Sequence, residues 1–312
     1  METETKRGAA SPTKRVSAPT LWVLGAPDPE MVAIEALLRA SQPPTVVHAS
    51  AAGARVRPDT AYAADPVDGP AAWVECAPRG GVSAGDVVID HHRPGDPGYG
   101  RPPAESLAAS SIGQVVAHLA RIGLLTWERL PWMVAGVPGA FIAPYTAPGA
   151  DDPDWWVHVA PDVIARVPHD LVLTAAADHC LGAAYRGECP GVDPDALMRW
   201  RAASRAAHQK RTVEAVLADV AKAQALLRAS PMCADVHDLR GVELPELPEA
   251  ACRMGVAYVA TPAVRAGERV KVVLGCASPD QVAAFLRGEG LAAELVDRYG
   301  DPARGFAGGY RP

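Results

Sequence analysis

The string Asp90-His91-His92 has the clearest chemical meaning of any part of the sequence. It closes a short segment at 86–90 whose apolar centre predicts a buried strand. Neutral imidazole and carboxylate oxygen are ligands that Mn²⁺ and similar divalent ions accept. A strand end that carries one carboxylate and two imidazoles therefore indicates a metal site.

Further acidic residues stand close behind other segments that we predict to be strands, at 21–25, 73–75 and 171–174. These acids are Asp28, Glu30, Glu75 and Asp178. Clustered carboxylates repel one another, so that some would remain protonated in the absence of a bound cation. Two divalent ions held about 3.5–4 Å apart can activate a water molecule and neutralise charge on a phosphoryl oxygen. This grouping of acids behind predicted strands indicates a site for two divalent ions.

The elements that must position these residues alternate along the chain. Short apolar runs are followed by helical periodicity at 31–40 and again at 106–125. This alternation predicts an α/β fold with a doubly wound, mostly parallel sheet. In such a sheet, ligands bind outside the carboxyl ends of the strands, which is where the acids and histidines are predicted to lie.

The remaining segments suggest a second, smaller α/β domain towards the C-terminus. Strands are predicted at 257–260 and 270–274, and a helix at 279–289. The predicted organisation is a disordered tail at 1–20, a metal-binding domain at 21–194 with an insertion at about 126–168, a connecting helix at 195–230 and a C-terminal domain at 231–312.

Composition narrows the class of protein. The chain has 312 residues, which favours two domains, and 49% of them are hydrophobic, enough for a real core. The net charge of −6 argues against binding to long duplex DNA. No apolar stretch has the length of a membrane span, and the six cysteines form no CxxC pair. We expect a cytoplasmic, soluble protein with free thiols.

On these residues the sequence resembles the DHH phosphoesterase superfamily, which includes RecJ-like exonucleases, oligoribonucleases, cyclic-dinucleotide phosphodiesterases and manganese pyrophosphatases. Four motifs stand in the family order, and the segment 109–115 is similar to the helix start that follows the name-giving motif. The matching residues are Asp28-Pro29-Glu30, Glu75, Asp90-His91-His92 and Asp178.

The resemblance implies roles for these residues. Asp28 and Glu75 would hold one metal ion, and Glu75 would bridge to a second ion. The ligands of that second ion would be Glu30, Glu75, His91 and Asp178. His92 would face the scissile phosphate, and Asp90 would orient the ligands. The implied metal is Mn²⁺, with Mg²⁺ or another divalent ion as the alternative.

The sequence also departs from the family pattern. The family usually carries a histidine shortly before the first aspartate, and the corresponding stretch here, 23–26, has none. Two of the matched positions have Glu in place of Asp. Many members end in a glycine-rich Gly-Gly-Gly-His loop that binds substrate. Here Arg304, Gly308 and Gly309 would take that role, with Tyr310 in place of the histidine.

Several other side chains have simpler explanations than catalysis. Cys180 and Cys189 lack a second ligand pair at zinc spacing. Ser110 and Ser111 have no nucleophile-elbow pattern around them and are interpreted as helix caps. His48 is interpreted as structural.

The resulting expectation is a metal-dependent phosphoesterase that hydrolyses a phosphoester of a small nucleotide or short oligonucleotide with metal-activated water. The alternative is a degenerate protein of the same fold that binds a nucleotide or a protein without cleaving it. An unrelated nucleotide- or sugar-phosphate-binding α/β domain is the third option. No membrane partner is expected, and the oligomeric state stays open, with a homodimer among the options.

Overall fold

The computed structural model describes residues 21–41, 45–125, 169–233, 235–242, 244–262 and 269–312. The predicted tail at 1–20 and the predicted insertion at 126–168 lie outside these residues. Within the described ranges, no helix combines the length and the apolar character that a membrane crossing requires.

The first sheet has four strands, and all of its pairs are parallel. Its order is β2-β1-β5-β6, with a separate two-stranded hairpin formed by β3 and β4. The strands are β1 (Leu21–Leu24), β2 (Val46–His48), β3 (Ser50–Ala51), β4 (Ala54–Arg55), β5 (Ala71–Val74) and β6 (Val87–Ile89). The mixed α/β class and the parallel sheet are therefore confirmed.

Alternate side chains of the central strands enter two different cores. Trp22 and Leu24 join the larger core, which also contains the helices described next, whereas Val23 and Trp73 pack against the segment 49–64. Among the described residues, helices cover one face of this sheet, and the hairpin and a 3₁₀ turn cover the other. The doubly wound arrangement predicted from the sequence is thus not confirmed.

The helices on the first sheet pack in the larger core. They are α1 (Pro29–Ser41), α2 (Ser106–Ala109), α3 (Ser111–Arg121) and α4 (His169–Tyr185). Ser110 separates α2 from α3, and its hydroxyl accepts a hydrogen bond from the Gly113 amide. The expected cap at Ser110 is confirmed, and the helix predicted at 106–125 is divided at this cap.

The strand predicted at 171–174 is wrong, because these residues lie inside α4. The Thr174 hydroxyl donates to the Asp170 carbonyl one helical turn earlier, at 2.7 Å. The apolar run continues into 175–177, which consists of alanine, the best helix former. Asp178 is consequently presented by a helix and not by a strand end.

The helix predicted at 195–230 is two helices, α5 (Pro194–Gln209) and α6 (Val213–Ala229). Lys210 adopts a left-handed conformation after α5, and the Thr212 side chain caps α6 by accepting from the Ala215 amide. The two signals that end one helix and start the next are therefore adjacent in the chain.

A second sheet of six strands follows, in the order β11-β12-β10-β9-β8-β7. The β8–β9 pair is parallel and the others are antiparallel. Helices α7 (Leu247–Met254) and α8 (Pro279–Arg287) pack in separate cores against it. The strands are β7 (Met232–Cys233), β8 (Val236–Leu239), β9 (Ala257–Ala260), β10 (Lys271–Gly275), β11 (Val296–Asp301) and β12 (Phe306–Tyr310).

The cysteines differ from the expectation of free thiols at one pair. Cys252 and Cys276 form a disulfide, which links α7 to the end of β10. The other four cysteines are unbridged, and they are Cys76, Cys180, Cys189 and Cys233. The absence of a CxxC motif was uninformative here because the bonded cysteines are 24 residues apart in the sequence.

Candidate metal centre

Four side chains converge at the carboxyl edge of the first sheet. Glu75 follows β5, His91 and His92 follow β6, and Asp178 reaches the same place from α4. One ligand atom from each residue lies within 4.8 Å of the others. Glu75 and His91 are buried, whereas His92 and Asp178 are partly exposed and leave the cluster open on one side. The cluster has the composition and size of a site for a divalent ion.

Several atoms of this cluster have no hydrogen-bond partner in spite of their burial. The Nε2 atom of His91 lies 2.8 Å from Oδ2 of Asp178, yet neither atom meets the geometry of a hydrogen bond. The buried Oε1 of Glu75 also lacks a partner. Buried polar atoms without partners are rare in proteins, because their desolvation is not compensated. Such atoms fit a cation as their common partner, so the donor set suits the divalent ion that the sequence implied.

Asp90 organises the loop that carries both histidines. Its Oδ1 accepts hydrogen bonds from the amides of His91 and His92, at 2.7 and 3.0 Å, and lies 2.8 Å from Nδ1 of His92. Its Oδ2 accepts from the Tyr62 hydroxyl. Both carboxylate oxygens are occupied, and the contact with Nδ1 orients the His92 ring so that Nε2 is the free ligand atom.

The backbone of Asp90 is fixed by Gln114 of α3. The Asp90 amide donates to the Gln114 side-chain oxygen at 3.2 Å, and the Gln114 amide group donates back to the Asp90 carbonyl at 3.0 Å. The segment 109–115 resembles the helix start of the family, but nothing in the sequence indicates that Gln114 positions Asp90. Tyr62 was also missed, since nothing in its local sequence indicates a contact with the distant Asp90.

Glu75 is held in a backbone conformation that few side chains adopt. Its φ angle is +51°, directly after β5. A Cβ atom at Gly25 would lie 2.4 Å from the Glu75 carbonyl oxygen, so only glycine allows this approach. Strained residues of this kind persist where the surrounding structure enforces them, often at functional sites.

Asp28 and Glu30 lie beside the four-residue cluster but outside it. Asp28 caps α1 by accepting from the Met31 amide at 2.7 Å. Oε1 of Glu30 accepts from the Ile112 amide at the start of α3, whereas its buried Oε2 has no partner. Asp28 and Glu30 therefore fall outside the four-residue cluster, although the charge of Asp178 acts on both of them. His92 takes a ligand position that the family resemblance had assigned to the substrate side.

Electrostatics show that these acids are close neighbours. Burial, reinforced by the charge of Asp28, raises the pKa of Glu75 to about 8. Burial and the charge of Asp178 raise the pKa of Asp28 to about 6, and the same two causes raise the pKa of Glu30 well above its ordinary value. A divalent ion would relieve this repulsion and favour the ionised ligands.

The histidine environment favours a neutral ligand at His91. Burial, with the charge of Arg304, lowers the pKa of His91 to about 3. Burial alone would raise the pKa of Asp178, but its proximity to His91 and Arg304 brings that pKa well below its usual range. A neutral imidazole beside an ionised carboxylate is the protonation state that metal binding requires.

Arg304 reaches the centre from the far end of the chain. Helix α4 departs from helical geometry at Cys180, two residues after Asp178. The guanidinium donates to the carbonyls of Asp178 and His179, at 2.7 and 2.8 Å, and lies 3.5 Å from the His91 carbonyl. A cation suits the carbonyl end of a helical segment. Arg304 thus clamps the protein backbone, where the sequence predicted a contact with substrate.

The glycine-rich loop predicted around Gly308 and Gly309 is wrong, because both residues lie in β12. They pair with Val273 and Val272 of β10, and the Tyr299 ring of β11 covers Gly308. The pattern was ambiguous because consecutive glycines are typical of loops but also occur where a ring packs flat on a strand.

No known protein family, curated protein or solved structure matches this chain.

Proposed function

We propose that the protein is a metal-dependent phosphoesterase that acts on a small nucleotide or short oligonucleotide. The observation that carries the proposal is the convergence of Glu75, His91, His92 and Asp178 with buried oxygen and nitrogen atoms that lack partners. A two-histidine, two-carboxylate set suits Mn²⁺, and such an ion would neutralise charge on a phosphoryl oxygen and activate water.

The protein's own residues would supply binding and orientation. Asp90 holds the His92 ring through Nδ1, and Arg304 holds the backbone that carries Asp178. Asp28 and the free Oε2 of Glu30 stand beside the four ligands as candidates for a second ion. The exposed side at His92 and Asp178 leaves room for a phosphate group to approach.

A partly exposed half of the second sheet supports a nucleotide as substrate. The Tyr299 ring lies 6.1 Å from the Phe306 ring and 6.3 Å from the Tyr310 ring. Lys271 Nζ lies 5.3 Å from the Tyr299 ring, and the Arg269 guanidinium lies 4.6 Å from the Tyr310 ring. Aromatic rings with neighbouring cations suit stacked bases and their phosphates.

This surface is joined to the region of the metal centre. The Tyr99 hydroxyl donates to the Gly300 carbonyl at 2.9 Å, next to Tyr299, and the Gly100 amide donates to Asp301 at 3.0 Å. A substrate with its phosphate at the ligand cluster and its base on the second sheet is consistent with these contacts.

The test combines metal analysis with a substrate screen. Purified protein reconstituted with Mn²⁺ would be incubated with dinucleotides, cyclic dinucleotides, nucleoside bisphosphates and short RNA. We expect release of a nucleotide product, lost in Asp178→Asn together with bound Mn²⁺ and retained in Asp68→Asn, which changes an exposed acid. Stoichiometric Mn²⁺ without turnover of any of these substrates would contradict the proposed activity.

A second candidate function is nucleotide binding without hydrolysis, and the observation that favours it is Gly25. The stretch 23–26 lacks the histidine of the family pattern, and the contact of Gly25 with the Glu75 carbonyl leaves no room for a side chain there. Calorimetric titration with the same compounds would separate the two functions, because a pure binder would show saturable heat and an unchanged ligand at the end of the experiment.

A further inference from the structure

Two free cysteines stand almost in bonding contact beside the metal centre. The Sγ atoms of Cys180 and Cys189 are 2.9 Å apart, and both side chains are buried. This separation exceeds the disulfide bond length of about 2.05 Å by less than an ångström. It is shorter than the roughly 3.8 Å expected between two thiolates bound to one tetrahedral zinc ion, given a Zn–S distance of about 2.3 Å. The geometry is therefore closer to a disulfide than to a zinc site.

The pair lies on the helix that presents a metal ligand. Cys180 is the residue at which α4 is distorted, with φ −154° and ψ 51°, and it follows Asp178 by two positions. Cys189 lies in the loop after α4, nine residues further along the chain. A bond between the two sulfur atoms would close this loop onto the distortion in the helix.

The same stretch of helix already packs against a disulfide. A Cβ atom at Gly182 would lie 3.7 Å from Sγ of Cys276 and 3.9 Å from Sγ of Cys252, the two cysteines that are bonded to each other. Cys180, Cys189 and Cys252 belong to one buried core, against which Cys276 packs. The fold thus places two cysteine pairs along one short helical segment.

We propose that Cys180 and Cys189 are a redox site that forms a second disulfide, and that this disulfide strengthens metal binding by fixing the position of Asp178. Arg304 already holds the Asp178 and His179 carbonyls at the distortion. A covalent link at the next residue would hold the distorted backbone from the other side, so that less ordering remains to be done when the ion binds.

Hydrogen peroxide, a hydroperoxide small enough to reach a buried pair of thiols, is the oxidant in this proposal. One thiol, as its thiolate, attacks the peroxide oxygen, so that the O–O bond breaks, a sulfenic acid forms and water is released after proton transfer. The second thiol then attacks the sulfenic sulfur, so that the S–S bond forms and a second water leaves. Two thiols are oxidised by two electrons, and one H₂O₂ is reduced to two H₂O.

The first measurement is a disulfide map of the full chain. Metal-free protein is treated with dithiothreitol or with H₂O₂, the reagent is removed, free thiols are alkylated under denaturing conditions and peptides are identified by mass spectrometry. We expect a peptide linked through Cys180 and Cys189 in the oxidised sample, with Cys76 and Cys233 alkylated. Alkylation of both Cys180 and Cys189 after H₂O₂ would overturn the proposal. The measurement uses the native chain, so its result does not depend on the folding of a variant.

The second measurement is a Mn²⁺ titration of the oxidised and reduced forms at one pH. We expect about tenfold tighter binding in the oxidised form, the size of effect seen when a contact that orients a ligand is changed. Cys189→Ser treated in the same way is the matched control, because it keeps the Cys252–Cys276 pair and should show no difference between the two treatments.

The outcomes separate this inference from the proposed function. Equal Mn²⁺ affinity in both forms, or no Mn²⁺ bound in either, would overturn the coupling to the metal centre. The coupling rests on the candidate metal centre and not on hydrolysis, so a protein that binds Mn²⁺ but cleaves nothing would leave the inference intact and remove the phosphoesterase. A difference that persists in Cys189→Ser would assign the effect to another cysteine and contradict the proposal.

Discussion

Glu75 combines three properties that are costly to maintain in one residue. Its carboxyl group is buried with one oxygen unpartnered, its backbone has a positive φ angle, and burial together with acidic neighbours raises its pKa to about 8. In the absence of a cation, the folded protein holds a proton on this group that the unfolded chain would release at neutral pH. The free energy of unfolding must therefore depend on pH through this residue.

The contribution of Glu75 to the stability of the metal-free protein should fall as the pH rises. The folded pKa of Glu75 is raised from 4.5 to about 8, so its stabilising contribution is complete below about pH 4.5 and is lost as the pH rises towards 8. The loss is on the order of 3 kcal/mol. Thermal unfolding of the native protein and of Glu75→Gln in a chelator between pH 5 and pH 8 would measure it as the difference between the two, since buried neutral histidines such as His91 add a pH dependence of the opposite sign to both. The same pH slope in both proteins would contradict the assignment.

At the scale of elements, the centre depends on a close fit between two loops. The turn after β1 passes so near the turn after β5 that Gly25 meets the Glu75 carbonyl. The amide of Gly25 also donates to the Val74 carbonyl at 2.9 Å. The turn after the first strand therefore contributes to the metal centre through its backbone, independently of any metal-binding role of Asp28 and Glu30.

Gly25→Ala should displace Glu75 and weaken metal binding. A methyl group at this position would overlap the carbonyl oxygen, and overpacking of this kind costs about 1–3 kcal/mol of stability. We expect a lower unfolding midpoint and at least tenfold weaker Mn²⁺ binding. Gly182→Ala is the matched control, since its Cβ would make only ordinary van der Waals contacts, with Arg186, Cys276 and Cys252. Equal Mn²⁺ affinity in Gly25→Ala and the native protein would show that Glu75 is not held by this contact.

How far the sequence predicts these elements depends on the kind of signal. Strands β1 and β6 were predicted well, because an apolar run and the polar residues that end it are both visible in the local sequence. The run at 171–174 was predicted wrongly, because four apolar residues fit a buried helix as well as a strand. The convergence of Glu75 and His91 was expected from parallel topology. Contacts made by Tyr62 and Gln114 with Asp90 depend on tertiary packing, which no local pattern encodes.

At the scale of the whole molecule, the second sheet takes part in building the metal centre. Arg304 lies just before β12, and three backbone carbonyls from the first part of the chain surround its guanidinium. Asp301 and Gly300 make two further contacts with the loop at 99–100. Since α4 is distorted at Cys180, two residues after Asp178, and Arg304 holds the backbone there, the position of this ligand depends on both sheets.

Arg304→Ala should loosen the metal centre and the contact between the two sheets together. Hydrogen bonds from a charged donor contribute about 1.5–3 kcal/mol, so we expect a stability loss of that order and about tenfold weaker Mn²⁺ binding. Arg304→Lys should recover only part of both, because a lysine cannot hold separate carbonyls with a planar fork. Chemical denaturation and Mn²⁺ titration would check this. Full Mn²⁺ affinity in Arg304→Ala would show that the clamp does not position Asp178.

The clamp has a consequence for the order in which the protein matures. The His91 carbonyl and the guanidinium that approaches it are 213 positions apart in the chain. During synthesis the ribosome therefore releases both histidines long before the arginine that completes their surroundings. The nascent chain cannot complete the surroundings of His91 until that late segment has emerged and docked, so a divalent ion that binds there would be captured only at the final stage of biogenesis.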